Sequence, residues 1–294
     1  PIAIGAAFWA RGWWPGVCKP ATLGPIPAPT ACAVSMLSYQ HGFHAGNLAD
    51  VHKHALLAWL LDYLTAKDKP LSYIETHAGR GLYDLGAPEA LKTGEAAAGI
   101  SCAESLFAPD HPYMRALAAT RAAHEPNAYP GSPLIAAHCL RARFDRITLA
   151  ELHPAEHDAL GRAMAGQGAR VYKRDGLDMA QAMCPPTPRR GVLMVDPSYE
   201  VKADYVTLPR ALGQIARKWN VGVLVLWYPI LRDGPHASLT AALRAEMPEI
   251  ACFEARFKPA RPGHRMIGSG MAVLRAPWGM AAEAARIAEM LENL

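Results

Sequence analysis

Short, wholly apolar runs along this chain alternate with longer stretches in which apolar residues return every three or four positions. The runs "LSYIE", "RITLAEL", "ARVYKRD", "GVLMVDP" and "VGVLVLWYP" are rich in β-branched residues and stop at charged residues or proline, which predicts buried strands. Between them, "PAEHDALGRAMAG" and "YVTLPRALGQIARKW" carry the helical period. Earlier, Lys53, Leu57, Leu61 and Leu64 fall at helical spacing, with Asp50 as the expected N-cap and "KDKP" ending the helix at Pro70. Strands alternating with helices predict an α/β fold. Its parallel sheet is covered on both faces, and ligands bind such sheets at the carboxyl ends of the strands.

Two late strands, "EIACFEARF" and "GMAVLRAP", flank a basic loop. From about residue 82 to 128 Ala-rich helical stretches break the alternation and read as a helical insertion after the first strand. Residues 1–35, with Pro15, Pro20, Pro25, Pro27 and Pro29, cannot sustain a helix or an inner strand and are expected to be a disordered N-terminal extension. A single domain is expected over residues 36–294. A secretory leader is the rival reading of the start, because apolar residues lead to "TACAVS". Arg11 interrupts it and no basic segment precedes it.

Composition narrows the class only a little. No apolar run approaches the roughly 20 residues of a membrane-spanning helix, so no membrane association is expected. Cys18, Cys32, Cys102, Cys139, Cys184 and Cys252 form no C-x-x-C pair, which points to reduced thiols in a cytoplasm rather than to disulfides or zinc. A net charge of +4 permits a polyanionic partner without requiring one.

The candidate chemistry sits at the strand ends. The first strand runs into Glu75-Thr76-His77-Ala78-Gly79-Arg80-Gly81, where glycine lets the backbone turn tightly against a nucleotide-like cofactor. The spacing is not G-x-G-x-x-G, so this turn alone is a weak signal. Glu151 closes the second strand, where a carboxylate can accept hydrogen bonds from ribose hydroxyls, and Asp175-Gly176 closes the third. Three such ends in order describe a nucleoside cofactor lying across the sheet. At the end of the fourth strand stand Asp196, Pro197, Ser198 and Tyr199. A carboxylate oxygen and the Pro197 carbonyl can accept the two N–H bonds of an exocyclic adenine amine while Tyr199 stacks on the base. That would aim the nitrogen lone pair at a methyl donor.

With these residues in place, the chain from Met36 to about Trp278 resembles the bacterial 23S ribosomal RNA adenine-N6 methyltransferases. The resemblance runs in order through "MLSYQHGFHAGNLADVHKH", "KDKPLSYIETHAG", "YPGSPLIA", "LAELHP", "RDG", "RRGVLMVDPSYE" and "LWYPI". It implies a class I S-adenosylmethionine-dependent fold, Rossmann-like, with a seven-stranded, mostly parallel sheet. It implies that His54, His77, Ser132, Glu151, Asp175 and Gly176 contact S-adenosylmethionine. By the same motifs Asp196 is the catalytic residue, Tyr39 meets the RNA, and His41 and Lys53 support the active site. The implied partner is 23S ribosomal RNA or an early assembly intermediate of the large subunit, met by a monomer in the cytoplasm. Two departures stand out: Ser198 replaces the usual second proline of the Asp-Pro-Pro-Tyr element, and the chain stops at Leu294 without the Trp-x-Val-Pro-Glu-like tail of relatives.

Plainer readings stand beside these. Histidines on an apolar helix are usually core or surface residues, and His52 and His54 lack the i, i+4 spacing of a metal pair, so no metal is expected. Ser132 reads first as an N-cap ahead of Pro133. Trp227 and Tyr228 read as core. Arg256, Lys258, Arg261, His264 and Arg265 form either a solvated loop or a phosphate contact. Two other functions compete: a DNA adenine-N6 methyltransferase, against which the lack of a target-recognition domain argues, and a nucleic-acid-binding relative without turnover.

Overall fold

Each all-apolar run forms a strand, and neighbouring residues within a strand point to opposite faces. The computed structural model describes residues 41–261 and 263–294. The expectations for residues 1–35 and for Tyr39 therefore lie outside the described residues. Helix α1 (Leu48–Thr65) is followed by β1 (Ser72–Glu75), then by β2 (Leu82–Asp84), α2 (Pro88–Thr93), α3 (Glu95–Ala98), α4 (Ile100–Ala103), α5 (Pro112–Ala123) and β3 (Ala128–Pro130). The chain continues through α6 (Ser132–Cys139), β4 (Arg146–Ala150), α7 (Pro154–Ala163), β5 (Ala169–Tyr172), α8 (Gly176–Met183), β6 (Gly191–Val195) and α9 (Asp204–Lys218). It ends with β7 (Val223–Leu231), α10 (Pro235–Glu246), β8 (Ala251–Arg256), β9 (Met266–Leu274) and α11 (Met280–Glu292).

Seven strands form one sheet in the order β5-β4-β1-β6-β7-β9-β8. The pairs among β5, β4, β1, β6 and β7 are parallel. Strand β9 runs antiparallel to both β7 and β8. Strands β2 and β3 make a separate antiparallel pair that closes the stretch from 82 to 130 against the main domain.

Side-chain alternation explains the runs of apolar sequence, because both sheet faces are covered. Tyr73, Val192, Met194, Val223 and Val225 pack on one face with Leu56, Leu60, Ile135 and Ile287 from α1, α6 and α11. Ile74, Leu193, Val195, Leu224 and Leu226 pack on the other with Met179, Leu212 and Leu243 from α8, α9 and α10. Among the described residues no helix is long and apolar enough to cross a membrane.

Two caps differ from expectation. Helix α1 starts at Leu48 because Asn47 is its N-cap and accepts from the Asp50 amide, so Asp50 lies in the first turn with its carboxylate free for other work. The N-cap of α6 is Gly131, and Ser132, inside the helix, turns its hydroxyl to the buried Glu75 carboxylate instead.

Candidate active site

The carboxyl ends of β4, β1 and β6 lie side by side because their ladders are in parallel register, Leu149 opposite Glu75 and Glu75 opposite Met194. The chain leaving β1 turns at once through Gly79 (φ +60°) and Gly81 (φ +76°), left-handed conformations that glycine adopts without the strain of a Cβ. The turn is pinned to its neighbour, since the Ala78 amide donates to the Ala150 carbonyl (3.0 Å) and the Gly79 amide to Glu151 Oε2 (2.9 Å). Glu151 Oε1 accepts from the His153 amide at 2.7 Å. Burial raises the Glu151 carboxyl above its ordinary value, against these two amides that favour the charge. A carboxylate has about four acceptor positions, so Glu151 keeps room for hydroxyl donors.

Asp175 caps α8 by accepting from the Asp178 amide at 2.9 Å. Gly176 has a packing reason: a Cβ there would stand 1.9 Å from the Thr76 carbonyl oxygen, so only glycine lets α8 close on the end of β1. Burial lowers the pKa of His77, although the charges of Asp196 and Asp175 pull the other way. The result is a cradle of a glycine turn, a neutral imidazole and two acids at adjacent strand ends. It fits a nucleoside with ribose hydroxyls to donate and an adenine to enclose.

Beside the cradle stands a network that sequence reading reached only in part. Lys53 Nζ donates to Asp196 Oδ2 at 2.7 Å and lies 2.9 Å from Asp50 Oδ1. Asp50 Oδ2 in turn holds His41 Nε2 at 2.8 Å and the Gly46 amide at 3.0 Å. Burial works to raise the Asp50 carboxyl, but the charges of His41 and Lys53 hold it well below the carboxylate range. Burial likewise opposes charge on Lys53, and the two carboxylates outweigh it and keep the ammonium protonated. Asp50 was read as a cap only; its i, i+3 spacing to Lys53 was the available signal.

Asp196 is left with Oδ1 facing no partner among the described residues, and the buried Pro197 carbonyl accepts no hydrogen bond there either. The turn that carries them is strained, since Tyr199 adopts φ +57°, which non-glycine residues rarely do. Tyr199, expected to stack on the base, is fixed in place by its neighbours. Its hydroxyl donates to the Trp227 carbonyl (2.8 Å) and its ring packs 4.7 Å from Tyr205, so it anchors the turn to β7 and α9. Trp227, read as core, is half-buried, packs against both hydrophobic clusters and donates its indole N–H to Ser269 Oγ at 2.9 Å, with its ring 5.3 Å from Lys53 Nζ.

His54 and Ser132 lie deeper than the cradle. His54 is 1% exposed, bonds Tyr129 Oη through Nδ1 at 2.9 Å, and burial pushes its pKa down to about 3. Ser132 and Tyr73 both donate to Glu75, whose carboxyl burial raises to about 8. Sequence reading named Glu75 without giving it a role. His52 is a core residue, bonded to Ser269 at 3.0 Å.

The strand order with its single antiparallel strand, the glycine turn after the central strand and the Asp-Pro-x-Tyr turn after the next define a class I S-adenosylmethionine-dependent methyltransferase. A family model described as ribosomal RNA large subunit methyltransferase D, RlmJ, matches residues 68–294. The chain belongs to that family. It is 37% identical over 248 residues to ribosomal RNA large subunit methyltransferase J of Escherichia coli K12, covering 83% of this chain and 88% of the relative. The Haemophilus influenzae protein of the same name is 35% identical over 249 residues, with the same coverage. A crystal structure of a Legionella pneumophila protein superposes with a TM-score of 0.75 at 33% identity, over 84% of this chain and 92% of that one.

Proposed function

We propose that this protein transfers a methyl group from S-adenosylmethionine to the N6 amine of an adenine in 23S ribosomal RNA. The observation that carries the reading is the pair of unoccupied acceptors at the end of β6, Asp196 Oδ1 and the Pro197 carbonyl, beside the glycine turn of β1. Two acceptors match the two N–H bonds of an exocyclic amine, which is a poor nucleophile until its lone pair is turned away from the ring. Lys53 fixes the Asp196 carboxylate through Oδ2, so that Oδ1 has one orientation to offer.

S-adenosylmethionine, when bound, supplies an electrophilic methyl on a sulfonium. His77, Gly79, Glu151, Asp175 and Gly176 would hold it, with Glu151 taking ribose hydroxyls, and His54 and Ser132 would form the buried floor. Once N6 carries the methyl group it holds one proton too many, and Asp196 Oδ1 is the acceptor at hand. His41 acts through Asp50, which its Nε2 contacts, and Tyr39 would meet the RNA. Trp227 supplies the apolar face on which an unpaired base can rest. An RNA-modifying enzyme of this kind works in the cytoplasm, as a monomer, on the RNA or an early large-subunit particle.

The test is methyl transfer by Asp196→Ala to unmodified 23S RNA, with duplex DNA as control. The variant is expected to bind S-adenosylmethionine as the wild type does and to transfer nothing. Full activity in Asp196→Ala, or faster methylation of DNA than of RNA, would overturn the reading.

A further inference from the structure

A second cavity, of about 240 Å³, opens beyond the N-terminus of α1, between Asn47, Glu95 and Ala98 on one side and Phe257, Lys258 and His264 of the β8–β9 loop on the other. Glu95 is 1% exposed, and its Oε2 accepts from Asn47 Nδ2 at 3.1 Å and meets His44 Nδ1 at 3.0 Å. Burial works against its charge, but His44 and Asn47 keep the carboxyl ionised, below its ordinary value. Its second oxygen, Oε1, has no hydrogen-bond partner among the described residues; His264 Nε2 is 3.8 Å away, beyond hydrogen-bond reach. A buried charged oxygen left without a donor is costly, and a ligand that brings an N–H recovers that cost.

The cavity is also wired to the catalytic turn. Asn47 bonds both Glu95 and the Asp50 amide, Asp50 holds Lys53, and Lys53 holds Asp196. Asn47 and Lys53 are six residues apart on α1, about 9 Å along its axis, so the two sites are within reach of one short piece of polynucleotide. Phe257 gives the cavity an aromatic wall and Lys258 a cation at its lining, while Arg256, Arg261 and Arg265 are exposed on the same stretch of chain, Arg265 paired with Asp233. An acceptor at the back, an aromatic wall and a cationic rim are what a splayed, unpaired nucleobase requires. The volume, below the roughly 300 Å³ of the smallest ordinary ligand pockets, suits one heterocycle.

We infer that this cavity holds a second base of the RNA substrate, a neighbour of the target adenine whose Watson–Crick edge donates an N–H to Glu95 Oε1. The inference rests on the RNA-methylating function proposed above.

The test uses the full chain, labelled S-adenosylmethionine and an RNA fragment spanning the methylated adenine, together with fragments made abasic at each flanking nucleotide in turn. Glu95→Gln removes the charged acceptor, and Ala98→Phe fills the cavity from an exposed position without touching the core. On the intact fragment each variant is expected to lose about tenfold in kcat/KM, mainly through KM, the usual cost of one lost base contact. Wild type should lose the same factor on one abasic fragment, and on that fragment the variants should lose nothing more. Variants that match wild type on intact RNA would overturn the inference, as would penalties that multiply with abasic substitution at every position. If wild type methylates no RNA at all, the proposed function falls and the cavity's occupant falls with it. Methylation of the intact RNA with equal activity in all three proteins overturns the cavity alone.

Discussion

Replacing Lys53 by methionine keeps most of the side-chain volume and removes the cation between two carboxylates. Lys53 Nζ is 2.7 Å from Asp196 Oδ2 and 2.9 Å from Asp50 Oδ1, so those oxygens can stand no farther apart than the sum, 5.6 Å. Two unit charges at that separation repel by about 3 kcal/mol at an effective dielectric constant of about 20. Losing one partner of a buried ion pair costs a comparable roughly 3–5 kcal/mol, because the remaining charge is uncompensated. The protein relieves this by protonating one carboxyl. A protonated or swung-away Asp196 no longer accepts from N6–H, so Lys53→Met is expected to lower kcat at neutral pH by about a hundredfold. S-adenosylmethionine affinity should stay within a few fold, since Glu151 and the glycine turn are untouched. The sign of the pH effect follows: the missing cation disfavours the ionised pair, so the variant should regain activity as pH rises from about 6 to 9. The assay is transfer of labelled methyl to 23S RNA across that range, with calorimetric binding of S-adenosylmethionine alongside. A variant with wild-type kcat, or with a large loss whose pH profile runs parallel to wild type, would refute the reasoning.

Other outcomes follow from the same geometry. Asp50→Asn is expected to lower kcat about tenfold in the wild-type background and hardly at all in a Lys53→Met background; equal effects in both backgrounds would mean that Asp50 does not act through Lys53. Glu75 has a folded pKa of about 8, raised by burial above its unfolded value, so the stability it contributes is full below about pH 4.5 and is lost as pH rises through about 8. Thermal melts should therefore show a Tm that falls between about pH 4.5 and about 8 and levels off above it in wild type, and a flatter profile over that range in Glu75→Gln; coincident profiles would place the loss elsewhere.

The central strands were legible because both faces of a parallel sheet are buried and the sequence there is apolar without alternation, as in "GVLMV", in which every residue is buried. The strand-end chemistry at Glu151, Asp196 and the glycine turn was legible for a related reason: residues just past a buried run must lie at the sheet's edge. Caps were less so. Asp50 and Ser132 both have cap chemistry, and only the fold shows that Asn47 and Gly131 take those places while Asp50 and Ser132 face buried partners. The order of the last two strands, with β9 between β7 and β8, is a matter of pairing that periodicity does not encode. Glu95 was invisible for a similar reason, because its partners His44 and Asn47 lie 51 and 48 residues away across the insertion. The left-handed backbone at Tyr199 was likewise not legible, since no glycine marks it in the sequence.

The central claim is that the Lys53-held acceptor pair at Asp196 and Pro197 methylates an adenine amine of 23S ribosomal RNA. Its most direct measurement is nucleoside analysis of unmodified 23S RNA after incubation with wild-type protein and labelled S-adenosylmethionine. The expected result is N6-methyladenosine as the single labelled nucleoside, at one position, and no label with Asp196→Ala. Label in another nucleoside, or label that survives Asp196→Ala, would contradict it.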